Sequence, residues 1–277
     1  MKMRKATLLS ALLFVATLSV YGQTYGYKVH YLLHKQYEIS KNKKPDPEEM
    51  ILEIMPDESH YYSKVLAFMD STILSKISTG SGVKEAMWED PNIEEEGEPI
   101  YIRSSFDKQQ REVSYRILEE EYSYTEKVTA PEWRILADST KRIGAYSCTL
   151  ARASYMGREW QVWYTQEIPS SAGPWKLWGL PGLILEAKDM EGIFEFSFLG
   201  FEEQTEEKSY AKARRSLMPH ISSKKASKQK VEELYGNFIA DPFGFLMQTS
   251  PDVKIISNGE PMLTPTWEKM NYIPLER

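Results

Sequence analysis

Residues 146–164 read YSCTLARASYMGREWQVWY, two runs of alternating apolar and polar residues that meet at Met156 and Gly157. Alternation with a period of two marks a strand that buries one face. Tyr146, Cys148 and Leu150 share a face of the first run, and Trp160, Val162 and Tyr164 share a face of the second. The Met156–Gly157 pair between them predicts a tight hairpin. Downstream, Phe194, Phe196 and Phe198 repeat the pattern after a second turn signal at Asp189 to Gly192; upstream, Trp133 and Ile135 begin the same dense β region.

The rest of the chain extends this reading. Tyr25, Tyr27, Val29, Tyr31 and Leu33 alternate, as do Met50, Leu52 and Ile54, with the polar stretch Ser40 to Pro47 as the loop between them. From Ser63 the period changes: Leu66, Met69, Ile73 and Ile77 recur every three or four residues behind a serine cap, predicting one helix that ends near Gly80. The acidic, proline-containing stretch Glu89 to Pro99 reads as a solvent loop. Strands resume at Ile100 and Ile102, at Val113, Tyr115 and Ile117, and at Tyr122 and Tyr124; a last helix presents Val231, Leu234, Tyr235 and Phe238. The predicted fold class is α+β, a curved and predominantly antiparallel sheet with a few helices, closing at most into a half-barrel. No internal repeat or domain boundary interrupts residues 23–277, which read as a single domain.

At the amino terminus Lys2, Arg4 and Lys5 precede an apolar run from Ala6 to Val20, the layout of a secretion signal. The run is short for a span of about 20 residues, and the small Gly22 places cleavage before Gln23. An uncleaved membrane anchor is the alternative. The only cysteine is Cys148, so neither a lipidated new amino terminus nor an internal disulfide is encoded. Removing 22 residues takes away three of the 34 basic side chains and none of the 40 acidic ones, which moves the formal charge from −6 to −9. An acidic chain lacks the basic footprint of a nucleic-acid binder. The mature chain carries no transmembrane span, and it is expected in the periplasm or outside the cell.

Between the strands that end near Thr165 and begin near Leu183, the segment IPSSAGPWKLWGLPG (168–182) packs three prolines, three glycines and two tryptophans. Such a composition predicts a stiff loop. Gly173, Pro174, Trp175, Trp178, Gly179, Leu180, Pro181, Gly182, Leu183 and Ile184 form the candidate recognition segment, with Trp175 and Trp178 either plugging one end of the core or lining a binding mouth. Leu180 to Leu183 has proline and glycine where a type II turn wants them, which predicts positive φ at Gly182.

Gly179 to Ile184 spells GLPGLI, and this chain resembles the GLPGLI family, named for that hexapeptide. The resemblance extends through Trp160, Trp163, Tyr164, Ile168, Pro169, Gly173 and Pro174, through Glu186, Asp189 and Gly192, and to Tyr272, Ile273 and Pro274. The family consists of exported proteins, mostly from Bacteroidota, of uncharacterised function. The resemblance therefore implies a compartment and a fold, with no catalytic residues to transfer.

Reactive groups are sparse. His30 and His34 lie four residues apart on a predicted strand, about 13 Å at 3.3 Å per residue, too far for one metal ion to bridge; a metal role with His60 or His220 as a distant partner is the minor alternative. Cys148 reads as a small buried hydrophobe rather than a nucleophile. Glu186 and Asp189 read as polar hairpin ends. No elbow serine, zinc cysteine pair, phosphate loop or dinucleotide fingerprint appears, and no cofactor or metal is expected. Lys208, Lys212, Arg214, Arg215, Lys224, Lys225, Lys228 and Lys230 form a basic stretch without an acid, read as a solvated helix face or a dock for an anionic surface. The function expected from these features is non-enzymatic: a binding or scaffolding module with an envelope protein as partner. A carrier of an apolar ligand in a cavity of the sheet and an uncharacterised enzyme are the rivals.

Overall fold

The computed structural model describes residues 26–37, 44–82, 97–249, 256–257, 260–261 and 271–277. The predicted signal segment, its cleavage point and residues 89–96 of the acidic loop lie outside this set. Among the described residues twelve strands build the main sheet: β1 (Gly26–Lys35), β2 (Glu48–Ile54), β3 (Glu58–Ser63), β4 (Ile100–Ser105), β5 (Gln110–Ile117), β6 (Glu120–Lys127), β7 (Arg134–Ile143), β8 (Tyr146–Tyr155), β9 (Arg158–Thr165), β10 (Leu183–Asp189), β11 (Phe194–Gln204) and β12 (Ser222–Lys225); the two-residue strands β13 (Ile256–Ser257) and β14 (Glu260–Pro261) pair with each other. The helices are α1 (Lys64–Ser78), α2 (Tyr210–Leu217), α3 (Lys228–Ala240) and α4 (Pro242–Thr249).

All twelve strands join one sheet in the order β12-β6-β5-β4-β3-β2-β1-β11-β10-β9-β8-β7. Its two ends are different strands, so it is open rather than a closed barrel. Two meanders, β1 to β6 and β7 to β11, are zipped together where β1 pairs with β11 over the whole length of β1. Every pairing is antiparallel except the short β12 beside β6. Met156 and Gly157 both take positive φ, 52° and 76°, as a two-residue hairpin between right-twisted strands requires.

Register explains the core. Val29 lies opposite Leu52, Leu52 opposite Tyr61, Tyr61 opposite Ile102, and Ile102 opposite Val113, so one apolar row crosses β1 to β5 on a single face. A second row starts from Leu33 and runs through Phe196, Ala187, Val162 and Ala151 on the other meander. Val231 of α3 and Trp175, Leu177 and Leu180 of the loop cover this inner face. On the opposite face α1 and α2 pack Leu66 and Tyr210 against Ile51, Tyr62 and Tyr101.

Strand β3 escapes sequence reading because helices cover its second face: five of its six residues are buried, and the alternation disappears. The α1 cap is as expected, with Ser63 Oγ accepting the Leu66 N–H at 2.9 Å. Its buried residues include Asp70 rather than Met69. Asp70 receives Tyr210 Oη at 2.5 Å and Arg214 at 3.1 Å, and it pairs with Arg116. This corrects the reading of residues 208–230 as one solvated helix face. The stretch spans α2, a 3-10 turn, β12 and α3, and Arg214 is buried between Asp70 and Glu121 with Tyr101 beneath it at 4.1 Å.

A second buried ionic group lies near the end of β1. Lys35 Nζ is 2.5 Å from Glu98 and 3.5 Å from Glu48, and Glu48 also accepts the Glu98 N–H at 2.5 Å. One ammonium serves two carboxylates. Burial pushes the Glu48 carboxyl up to about 7, Lys35 pulls against that shift, and Glu98 adds to it. A carboxyl raised on folding stabilises fully below its unfolded pKa and loses that contribution as pH rises through the folded value. The wild-type protein is therefore expected to lose on the order of 2 kcal/mol between pH 4.5 and 7 from this group. Denaturant melts across that range should show the loss in the wild type and a flatter profile in Glu48→Gln.

Candidate recognition site

The loop between β9 and β10 is braced by its own backbone. Ser170 N–H reaches Ile168 O at 2.8 Å, Leu177 N–H reaches Pro174 O at 3.1 Å, and Gly179 N–H reaches Ser171 O at 2.8 Å. Ile184 N–H closes back onto Ala172 O at 3.1 Å, while Tyr31 Oη donates to Ile184 O at 2.7 Å from across the core. Trp175 sits at the turn Pro174 to Leu177 with φ of 55°, an uncommon conformation for a bulky residue.

The two tryptophans divide. Trp175 is only 4% exposed and packs against Trp160 at 5.7 Å and Tyr155 at 6.4 Å. Trp178 is half-buried on the rim, its ring tilted by 32° against Phe106 at 5.1 Å. Its indole N–H donates to Thr129 O at 3.2 Å, and its own carbonyl accepts the Trp133 indole at 2.7 Å. Of the ten candidate residues, Trp178, Gly179 and Pro181 face outward to some degree; Gly173, Pro174, Trp175, Leu180, Gly182, Leu183 and Ile184 are buried.

The expected type II turn is not formed. The left-handed glycine of the hexapeptide is Gly179, with φ of 95°, and Gly182 has no positive φ. Gly182 is instead pressed against the end of β9, where a Cβ would lie 2.1 Å from Thr165 O and 2.6 Å from Thr165 C. Backbone cannot yield as a side-chain tip can. Gly182→Ala is therefore expected to destabilise by about 1–3 kcal/mol in a denaturant melt, because even a single methyl meets backbone. A midpoint equal to wild type would remove the close-approach explanation.

Beside the rim lies a depression of about 330 Å³ lined by Lys108, Gln109, Gln110, Thr125, Glu126 and Lys127. Glu126 connects it to an enclosed ionic group that the sequence reading missed. Lys176, 1% exposed, places Nζ 2.7 Å from Glu276, 2.8 Å from Glu126 and 3.1 Å from Tyr124 Oη. Arg111, equally buried, donates to Lys176 O at 3.2 Å, to Ser104 Oγ at 3.1 Å and to Tyr155 Oη at 3.3 Å. Burial opposes ionisation of Glu276, but Lys176 and Lys228 outweigh it and hold the carboxyl below its ordinary range. The available signal was Lys176 itself, a lone cation within the apolar run PWKLW.

The other candidates stay apart. Asp189 anchors its turn, accepting Ile193 and Phe194 N–H groups at 2.6 and 3.0 Å and Arg158 at 2.9 Å, while Glu186 pairs with Lys141. His30 faces Glu49 at 2.8 Å, and His60 Nε2 faces Glu58 at 2.9 Å. Among the described residues no three His, Cys, Asp or Glu side chains come together as a metal site. Cys148 is buried, and desolvation pushes its thiol up to about 11.

These features define a class: an open, β-rich α+β fold whose inner face is covered by a tryptophan- and proline-containing loop braced by its own backbone hydrogen bonds. Over residues 157–186, which include that loop, the chain matches a family described as a protein of unknown function (Porph_ging). The GLPGLI name remains a resemblance. Two crystal structures of PNGF-II, in the C2 and P21 space groups, share the fold with TM-scores of 0.51 and 0.52 at 12% and 13% identity. They align with 75% and 76% of this chain, which spans only 32% and 33% of theirs. No curated protein matches. Among the described residues no helix is long and apolar enough to cross a membrane.

Proposed function

We propose that this chain is an exported binding module of the bacterial envelope and that the Trp178 rim, with the depression beside it, is its recognition surface. The observation that carries the reading is a half-buried indole held in place by a hydrogen bond at each end of its residue and by the Phe106 ring. An aromatic group already ordered offers contact area with little further loss of side-chain freedom on binding. Lys108, Gln109, Gln110, Thr125 and Lys127 add polar groups at the same edge. Export rests on the basic and apolar amino-terminal segment and on the family resemblance. The carrier reading has less support, because Trp160, Trp175, Leu177 and Leu180 fill the inner face where an apolar ligand would lie.

The test is photocrosslinking in the producing cell, with Lys127 replaced by benzoylphenylalanine. The expected result is a defined adduct in the envelope fraction, lost in Trp178→Ala, on a chain whose mass begins at Gln23. An adduct unchanged by Trp178→Ala would exclude the rim as the recognition surface, and an intact Met1 in the cytoplasm would exclude export.

A further inference from the structure

Residues 272–277 lie across the inner side of the molecule without joining a strand. We propose that the groove beneath them is a peptide-recognition groove occupied in cis, and that it fits an acidic partner segment of the pattern apolar, proline, apolar, glutamate. This inference uses other residues than the Trp178 rim, so either can fail without the other.

The groove is built from buried cations that read a peptide. Arg158, buried at the start of β9, donates Nε to Leu275 O at 2.9 Å and Nη2 to Pro274 O at 2.7 Å. Lys176 and Lys228 share the Glu276 carboxylate, one oxygen each. Arg277 N–H reaches Met156 O at 3.1 Å, and the segment passes so close that a Cβ on Gly157 would lie 2.6 Å from Arg277 Cβ. Ile273 and Leu275 pack on the core, and Tyr272 meets Tyr235 edge-on at 5.5 Å.

Backbone carbonyls captured by a guanidinium, one acid captured by two ammonium groups, and two apolar anchors are the means by which extended peptides are recognised. Empty, the groove would leave Arg158 with Asp189 and Lys176 with Glu126 and Tyr124, while Nε and Nη2 of Arg158 and one of the two carboxylates on Lys176 would lose their partners, so an occupant completes the set. The occupant it holds belongs to no ladder and can leave without unzipping the sheet. An intramolecular segment competes at an effective concentration on the order of millimolar, so a partner must match the pattern closely or arrive tethered.

The test uses the full-length mature chain and a fluorescein-labelled peptide NYIPLER, copied from residues 271–277. Glu276→Lys sets a third cation against Lys176 and Lys228 and ejects the segment. Folded Glu276→Lys protein is expected to bind the peptide at least about tenfold more tightly than wild type, and a peptide with lysine in place of its glutamate is expected not to bind. Folded variant protein that takes up no peptide saturably up to millimolar concentration overturns the proposal. If the variant does not fold, hydrogen exchange on the wild type decides: the Arg277 amide, which is bonded to Met156 O, exchanging at least about tenfold faster than those of Trp160 and Val162 supports an occupant that opens locally. Exchange at the core rate overturns it.

Discussion

Trp175→Ala will lose about 3–5 kcal/mol of stability, while Trp178→Ala will lose about 1 kcal/mol, although the two residues stand three apart in one loop. Trp175 is enclosed by Trp160, Tyr155, Leu177 and Leu180, so truncation leaves a cavity that rigid strands cannot collapse to fill. Trp178 gives up only its contact with Phe106 and a hydrogen bond to a carbonyl at the surface. The positive φ at Trp175 adds a second signature. Glycine normally destabilises relative to alanine, yet at φ of 55° it relieves strain of about 1 kcal/mol or more, so Trp175→Gly should be no less stable than Trp175→Ala. Denaturant midpoints for the three variants check both statements. Equal losses at 175 and 178 would contradict the division of roles described for the loop.

Lys176→Met will cost about 3–5 kcal/mol at neutral pH even though methionine fills nearly the same volume. The loss comes from what remains: Glu276 and Glu126, both largely buried, keep only Lys228 and Arg111 as counter-charges. The pH dependence has a fixed sign. Glu276 is held below its ordinary pKa, so its pairing stabilises above the unfolded carboxylate pKa and that contribution is lost as pH falls through the depressed value. The gap between wild type and Lys176→Met should thus narrow as pH falls through the carboxylate range. Melts at neutral and acid pH measure it. A gap independent of pH would assign the loss to packing alone.

Much of this was legible before any tertiary contact was known. The strands around Tyr146–Tyr164, the Met156–Gly157 hairpin and the Ser63 cap depend on neighbours a few residues away, and local periodicity carries that information. The stiffness of the 168–182 loop follows in the same way, since proline and glycine act on their own backbone. Strand β3 was lost because helices from distant parts of the chain bury its outer face. The spacing of Leu66, Met69, Ile73 and Ile77 leaves Asp70 out of the buried set, yet three partners 46, 140 and 144 residues away draw it inward.

Sequence alone determined the β-rich class, the hairpins and the helix at Ser63, because these arise from short-range sterics and alternation. Tertiary structure alone decided which tryptophan is core, why Gly182 must be glycine, and that Lys176 lies inside with Glu276. Each of those outcomes depends on atoms brought together from far along the chain: Thr165 O against Gly182, Trp160 against Trp175, and a carboxylate 100 residues beyond the loop that neutralises its only lysine. Residue type sets what a side chain can do, and the distance to its partner in the folded chain decides whether it does it.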